Sequence, residues 1–128
     1  VKPFSEEVLR NREHYLRMKG RDVFKIAVKK FQLGIRKAAE LAGWDLSEID
    51  LVVPHQVNTR IIDSFVERLG IPEERIVQNL SRYGNTSAAS IPLALHEAVE
   101  GGRVKAGDKV VFTAVGGGMT WGAAALQW

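Results

Sequence analysis

Between Phe24 and Ala42 apolar residues recur at three- and four-residue steps, and no other pattern restricts the folding of this chain as much. Phe24, Ala27, Val28, Phe31, Ile35, Ala38, Ala39 and Ala42 fall on one stripe of a helix, while Lys25, Lys29, Arg36 and Lys37 take other positions. A helix patterned in this way has to bury its stripe against a second element. Gly43 is a natural stop for it. The second element follows within ten residues, because Asp50-Leu51-Val52-Val53 reads as a short buried strand. Pro54 closes that strand, since proline cannot donate to a ladder. A long helix followed at once by a buried strand points to a layered α/β fold.

The rest of the chain extends the pattern. Residues 1–20 form a polar, irregular lead-in in which Val8, Leu9, Tyr15, Leu16 and Met18 allow a short helix and a loop. The domain itself is expected over 21–128. No Met opens the chain, so the N-terminus at Val1 reads as cut. A second helix follows His55, with Val57, Ile61, Ile62, Phe65, Val66 and Leu69 on its apolar face and Gly70 and Pro72 closing it. Ile76-Val77 is a brief second strand. A third helix near Ser87 to Val99 is apolar almost all round and is expected to be buried, with Pro92 tolerated only in its first turn. Lys109 to Val115 and Met119 to Trp128 form a hairpin about Gly116-Gly117-Gly118. The expected order is α, β, α, β, α, β, β, with a mixed sheet packed against helices.

Composition removes several functions. The chain has no cysteine, so it can hold no disulfide, no thiolate metal site and no cysteine nucleophile of its own. No apolar run approaches the roughly 20 residues of a membrane helix, and no signal peptide opens the sequence, so a cytoplasmic protein with no membrane partner is expected. The net charge of +3 conceals an asymmetry: residues 1–37 hold 11 Lys and Arg against 4 Asp and Glu, and the remaining 91 hold 7 against 11. A basic first third suits an acidic partner, but on charge alone a solvated helix face is the simpler reading. Nucleic acid is not expected, because no aromatic platform is interleaved with those charges.

Metal and phosphate motifs are also missing. His96-Glu97-Ala98-Val99-Glu100 has the outline of a zinc-protease helix but ends in Glu where the second His is needed. There is no P-loop, and the triple glycine leads into a strand where a dinucleotide fingerprint needs a helix. Neither Ser87 nor Ser90 sits in the Gly-x-Ser-x-Gly elbow of a serine hydrolase.

His55 and Asn85 are different. His55 stands just past a strand, where open α/β sheets place their ligand sites. Its neighbours Pro54, Gln56 and Asn58 form a polar cluster between apolar elements. Asn85 follows the Ile76-Val77 strand and precedes the third helix, in the same topological setting. Two strand ends on one sheet edge can bring His55 and Asn85 together, either for acid/base work or as two neutral donors at a developing oxyanion or enolate. The Gly116-Gly117-Gly118 turn can add a backbone N–H.

Three segments carry a resemblance that covers about Tyr15 to Trp128: Pro54-His55-Gln56-Val57-Asn58, Tyr83-Gly84-Asn85-Thr86-Ser87-Ala88-Ala89-Ser90, and Gly116-Gly117-Gly118-Met119-Thr120-Trp121-Gly122. In this order and spacing they resemble β-ketoacyl-acyl carrier protein synthase III. The resemblance implies the C-terminal half of a thiolase-like fold. It implies a condensing acyltransferase of fatty-acid synthesis initiation that joins an acyl-CoA starter to malonyl-acyl carrier protein with loss of CO2. Such an enzyme uses a Cys–His–Asn triad, needs no cofactor beyond its thioester substrates, and works as a homodimer. His55 and Asn85 match the family's His and Asn, which hydrogen-bond the malonyl thioester carbonyl. Gly117 matches the glycine whose N–H helps hold the oxyanion, and Asn58 a residue near the pantetheine arm. Lys25, Arg60 and Arg68 match a basic surface that docks the acidic carrier protein, which accounts for the positive first third.

The departures are specific. The family's nucleophilic cysteine lies in an N-terminal half that these 128 residues do not include. Val115 stands where many members carry Phe. Without a partner half the chain is expected to be inactive and to expose a sheet face prone to self-association. The alternatives are a non-catalytic module binding carrier protein or CoA, and another thiolase-superfamily synthase of polyketide or long-chain ketoacyl-CoA type.

Overall fold

The computed structural model describes residues 3–15 and 17–128; Val1, Lys2 and Leu16 lie outside the described residues. A five-residue helix, α1 (Glu6–Arg10), opens the lead-in, capped by the Ser5 side chain, which accepts from the Val8 N–H. The predicted long helix is α2 (Gly20–Ala42), which buries Ala27, Val28, Phe31, Ile35, Ala38 and Ala39 and ends at Gly43 in the left-handed conformation with φ 72°. Strand β1 (Leu51–Pro54) follows, wholly buried, with Pro54 as its last residue. Helix α3 (Thr59–Leu69) buries Ile61, Ile62, Phe65, Val66 and Leu69 and stops at Gly70. Val57, expected on the helix face, precedes the helix. Next come a one-turn helix α4 (Leu80–Tyr83), helix α5 (Ser90–Glu100), and a hairpin of β2 (Lys109–Gly116) and β3 (Thr120–Gln127).

The sheet is mixed, in the order β1-β2-β3. β1 pairs parallel with β2, Leu51 opposite Val110 and Pro54 opposite Thr113, and β2 pairs antiparallel with β3. Helices lie on both faces. Side-chain alternation sends Val52 and Val111 toward Phe31, Ile35 and Phe65 of α2 and α3, with the Phe31 and Phe65 rings stacked at 4.9 Å. Leu51, Val53 and Val110 point the other way, onto Ala94 and Ala98 of α5. Helix α2 comes very near the hairpin at Gly34, where a Cβ would lie 3.1 Å from the Thr113 hydroxyl and 3.2 Å from the Ala123 methyl. No described helix is long and apolar enough to cross a membrane.

Three expectations need correction. Ile76-Val77 is not a strand of its own: Ile76 makes one isolated parallel bridge to Val52, and the Val77 N–H donates to the Val52 carbonyl at 2.9 Å. A 3-10 turn at Glu73–Arg75 precedes it and α4 begins at Leu80, so few residues remain to extend a ladder. The third helix does not begin at Ser87. A 3-10 turn spans Ser87–Ala89 and α5 proper starts at Ser90, which puts Pro92 in the first turn, where its missing N–H breaks no intrahelical bond.

That helix is also not buried. Its small-residue stripe Ser90, Ala94 and Ala98 is buried against the sheet and Ile91 and Leu95 pack beside it half-buried, while Leu93 and Val99 stay more than a third exposed. An all-apolar helix is buried only if something lies on every side, and here the side with Leu93 and Val99 is left open by the described residues. The hairpin shares this condition. Trp121, Ala123 and Ala125 turn toward α2, while alternate positions Thr120, Gly122, Ala124 and Leu126 form an uncovered face of β3.

Candidate active site

The end of β1 sets the position of His55. Its backbone N–H donates to the Thr113 carbonyl at 2.7 Å, continuing the β1–β2 ladder by one step. The Val57 N–H then donates to the His55 carbonyl at 2.9 Å, a tight turn that swings the chain out of the sheet. Asn58 ends this loop as the N-cap of α3, its Oδ1 accepting from the Arg60 N–H at 3.0 Å. The half-buried His55 ring places Nδ1 2.5 Å from the Ser90 hydroxyl at the start of α5. Burial is the sole cause that pushes its pKa down from 6.5, so the ring is neutral near pH 7.

Gln56 holds the loop from below. It is completely buried, and every polar group of its side chain is used. Its Nε2 donates to the carbonyls of Pro54 at 2.9 Å and Val77 at 3.0 Å, and its Oε1 accepts from the Asn79 N–H at 3.0 Å. One side chain therefore ties the end of β1 to the segment that leads to Asn85.

That segment is anchored a second time by Glu97 on α5. Glu97 Oε2 accepts from Asn79 Nδ2 at 3.0 Å and from Arg82 Nη2 at 2.6 Å, and Oε1 accepts from the Tyr83 hydroxyl at 2.8 Å. Gly84 then turns the chain at φ 66° and ψ −159°, a backbone region open to glycine almost alone. Asn85 emerges from the turn. Its Oδ1 accepts from the Ser87 N–H at 2.9 Å, and its Nδ2 donates to the Val57 carbonyl at 3.5 Å. The expectation that Asn85 follows a strand is corrected: it follows α4, because Asn79 to Tyr83 closes into a helical turn.

The donors to Glu97, first the Asn79 amide and then the Tyr83 hydroxyl, hold its carboxyl below the ordinary glutamate value of 4.5, and Arg82 adds to the shift. The folded chain therefore binds this proton less readily than the unfolded chain. The anchor contributes fully above the ordinary glutamate range and is lost as pH falls through the lowered folded value. Amide exchange across residues 79–84 is expected to accelerate in that acid window. Glu97→Gln is expected to exchange faster already at neutral pH and to show no such acid step; an unchanged acid step in the variant would assign it to another group.

His55 opens onto a cleft of about 590 Å³ that Ser87, Ser90, Val115, Gly116, Gly117 and Trp121 also line. The structure thus brings His55 and Gly117 to one cavity. Asn85 does not line it, but its Oδ1 accepts from the N–H of Ser87, which does, and its Nδ2 donates to the Val57 carbonyl. Asn58 is exposed and acts as a helix cap. Lys25 on α2 and Arg60 and Arg68 on α3 are exposed. Asp63 and Glu67, also exposed on α3, make that helix surface mixed in sign, so the basic character rests on α2. A larger groove of about 680 Å³ lies between α3 and the Ile71–Gln78 segment, contains none of the nominated residues, and is edged by Asp63, Glu67 and Glu73.

Ser90 is not a nucleophile despite its contact with a histidine. It is 1% exposed, and the Gln56 N–H occupies its oxygen at 3.2 Å. What the cleft offers is a neutral imidazole, a glycine-rich backbone turn and a nearby amide, which together can stabilise negative charge on a substrate oxygen. Gln56, Ser90 and Glu97 were not among the residues nominated from sequence. Gln56 and Ser90 lie inside the motifs that carry the family resemblance, and Glu97 inside the incomplete zinc-protease outline, but nothing local marks their contacts.

The family model and the most similar relatives point the same way. Residues 39–128 match the family described as 3-oxoacyl-[acyl-carrier-protein (ACP)] synthase III C terminal. The β-ketoacyl-[acyl-carrier-protein] synthase III of Aquifex aeolicus is 53% identical over 114 residues, 89% of this chain and 37% of the relative. That of Symbiobacterium thermophilum is 52% identical over 126 residues, 98% of this chain and 38% of the relative. A crystal structure of the Thermus thermophilus enzyme superposes with a TM-score of 0.85 at 54% identity, over 88% of this chain and 35% of that one. The chain thus spans a little over a third of the length of the relatives it matches, and its helix-sheet-helix layering is that of the thiolase-like fold. The chain belongs to the 3-oxoacyl-[acyl-carrier-protein] synthase III family and carries that family's C-terminal domain.

Proposed function

We propose that this chain supplies the decarboxylation side of a condensing active site, and that a segment outside these 128 residues supplies the cysteine. The reaction is a Claisen condensation of an acyl-CoA starter with malonyl-acyl carrier protein in the cytoplasm. The cysteine first takes the acyl group from CoA. The malonyl C–C bond then breaks, CO2 leaves, and the electron pair passes to the thioester carbonyl as an enolate. His55 and Asn85 donate hydrogen bonds to that oxygen, each stronger to the enolate than to the neutral carbonyl. The enolate carbon attacks the acyl-cysteine, whose tetrahedral oxygen the Gly117 N–H helps hold, and the C–S bond breaks to release 3-oxoacyl-carrier protein and the thiolate.

The observation that carries this reading is the half-buried His55 ring on the same cleft as the Gly116-Gly117 turn, where burial favours its neutral form. Charge there would come from the substrate, which is what a pair of neutral donors is suited to meet. Asn58 is assigned to the pantetheine arm, and Lys25, Arg60 and Arg68 to an acidic carrier protein. The uncovered β3 face and the open side of α5 are assigned to the remainder of the protein, in a homodimer.

Combining the chain with a polypeptide that holds the cysteine-bearing part is expected to restore transfer from acetyl-CoA to malonyl-carrier protein, while the chain alone is expected to show none. Charge reversal at Lys25 and Arg60 is expected to raise KM for malonyl-carrier protein several-fold with little change in kcat. A binding role without chemistry is favoured by one fact, the absence of cysteine from this sequence. Tight binding of carrier protein or CoA by the chain alone, with no activity on reconstitution, would select that reading.

A further inference from the structure

We propose that Ser90 is a positioning residue that holds the His55 imidazole as its Nε2–H tautomer, so that the ring presents a donor to the cleft. Ser90 Oγ has one proton to donate and lone pairs to accept with. Among the described residues its polar partners are the Gln56 N–H at 3.2 Å and His55 Nδ1 at 2.5 Å. A backbone N–H can only donate, so Ser90 Oγ accepts from Gln56. Two arrangements of the second contact are then possible.

If Nδ1 carried the ring proton, Ser90 Oγ would accept twice, and its own proton would have no acceptor. At 1% exposure that proton could not turn to solvent, and buried donors are almost always paired. If Ser90 donates to Nδ1, all three groups are satisfied. A neutral imidazole that accepts at Nδ1 must carry its proton on Nε2. Burial keeps the ring neutral near pH 7, and no charged side chain contributes to its shift. Nε2 has no partner among the described residues, and His55 lines the cleft.

The tautomer decides the sign of what His55 can do. Nε2–H attracts a developing oxyanion, whereas the other tautomer would aim a lone pair at it and repel it. The chain of bonds from Gln56 N–H through Ser90 to Nδ1 sets that sign, and Gln56 is itself held at both faces of its amide. This consequence for chemistry rests on the enolate reading of the site, but the tautomer does not.

The test is a long-range 1H–15N correlation spectrum of the protein labelled at histidine nitrogen, recorded above the pKa of His55. His55→Gln identifies the signal, and the exposed His14 and His96 serve as references. The expected result is a single tautomer with a pyridine-like Nδ1 and a pyrrole-like Nε2. Ser90→Ala is expected to bring the ratio of tautomers from well above about tenfold down to the few-fold preference for Nε2–H shown by the exposed reference histidines. Should that variant not fold, Ser90→Cys gives the same reading, because a thiol is a weak donor of similar size. A pyrrole-like Nδ1 in the unsubstituted protein, or an unchanged ratio in a folded Ser90 variant, overturns the proposal. If the tautomers shift as expected and turnover does not fall, Ser90 holds His55 as argued and the enolate reading fails instead.

Discussion

Replacing His55 by alanine in the assembled protein is expected to lower kcat for condensation by about 10²–10³, the usual effect of removing one preorganised oxyanion donor. KM for the acyl-CoA starter is expected to stay nearly constant, because the donor acts on charge that develops during decarboxylation. His55→Ala also leaves Ser90 without an acceptor for its proton in a buried position, so a folding control belongs with the assay. Asn85→Ala is expected to lower kcat by a similar factor for the same reason. The double variant is expected to lose much less than the product of the two factors, since both groups serve one oxygen and such effects are not additive. The measurement is release of CO2 from malonyl-carrier protein under single turnover. Undiminished release in both single variants would remove the enolate assignment and leave the binding reading.

The second large effect falls on Gln56. Gln56→Leu is close in volume but strands the Pro54 and Val77 carbonyls and the Asn79 N–H, all bonded to its amide. A buried polar group left without its partner costs about 1–3 kcal/mol, so the three together amount to roughly 3–6 kcal/mol where local relaxation recovers part. Against a typical domain stability of about 5–15 kcal/mol, that is enough to unfold much of the population or to make the 77–85 segment let go. Chemical denaturation measures the first outcome. The second is read as faster amide exchange from Asn79 to Gly84 with the α2–sheet core still protected. Stability within about 1 kcal/mol of the parent would mean that water replaces the amide at all three groups.

Much of the frame was legible in the residues. The three- and four-residue spacing of α2 and α3, the glycines that stop them, and the β-branched run of β2 are local patterns, and local patterns survive into the fold. The family motifs singled out His55, Asn85 and Gly117, of which His55 and Gly117 line one cleft. Reading failed between Ile76 and Ser90, where one bridge, a single helical turn and a 3-10 turn follow one another too closely for either periodicity to register. It failed again for α5, whose composition implies burial that the described residues do not provide.

Sequence by itself determined the two long helices, the glycines that stop them and the β-branched strand of the hairpin, because each of these depends on neighbours a few positions away. Tertiary structure decided which polar atoms meet. Ser90 lies 35 residues beyond His55 and comes to it only because the register of β1 on β2 and the packing of Ala94 and Ala98 set α5 against the strand end. Gln56 reaches Asn79, and Asn79 reaches Glu97, through the same packing. A hydrogen bond needs its atoms within a few tenths of an ångström of their places, and no periodicity along a chain specifies a distance between segments that far apart.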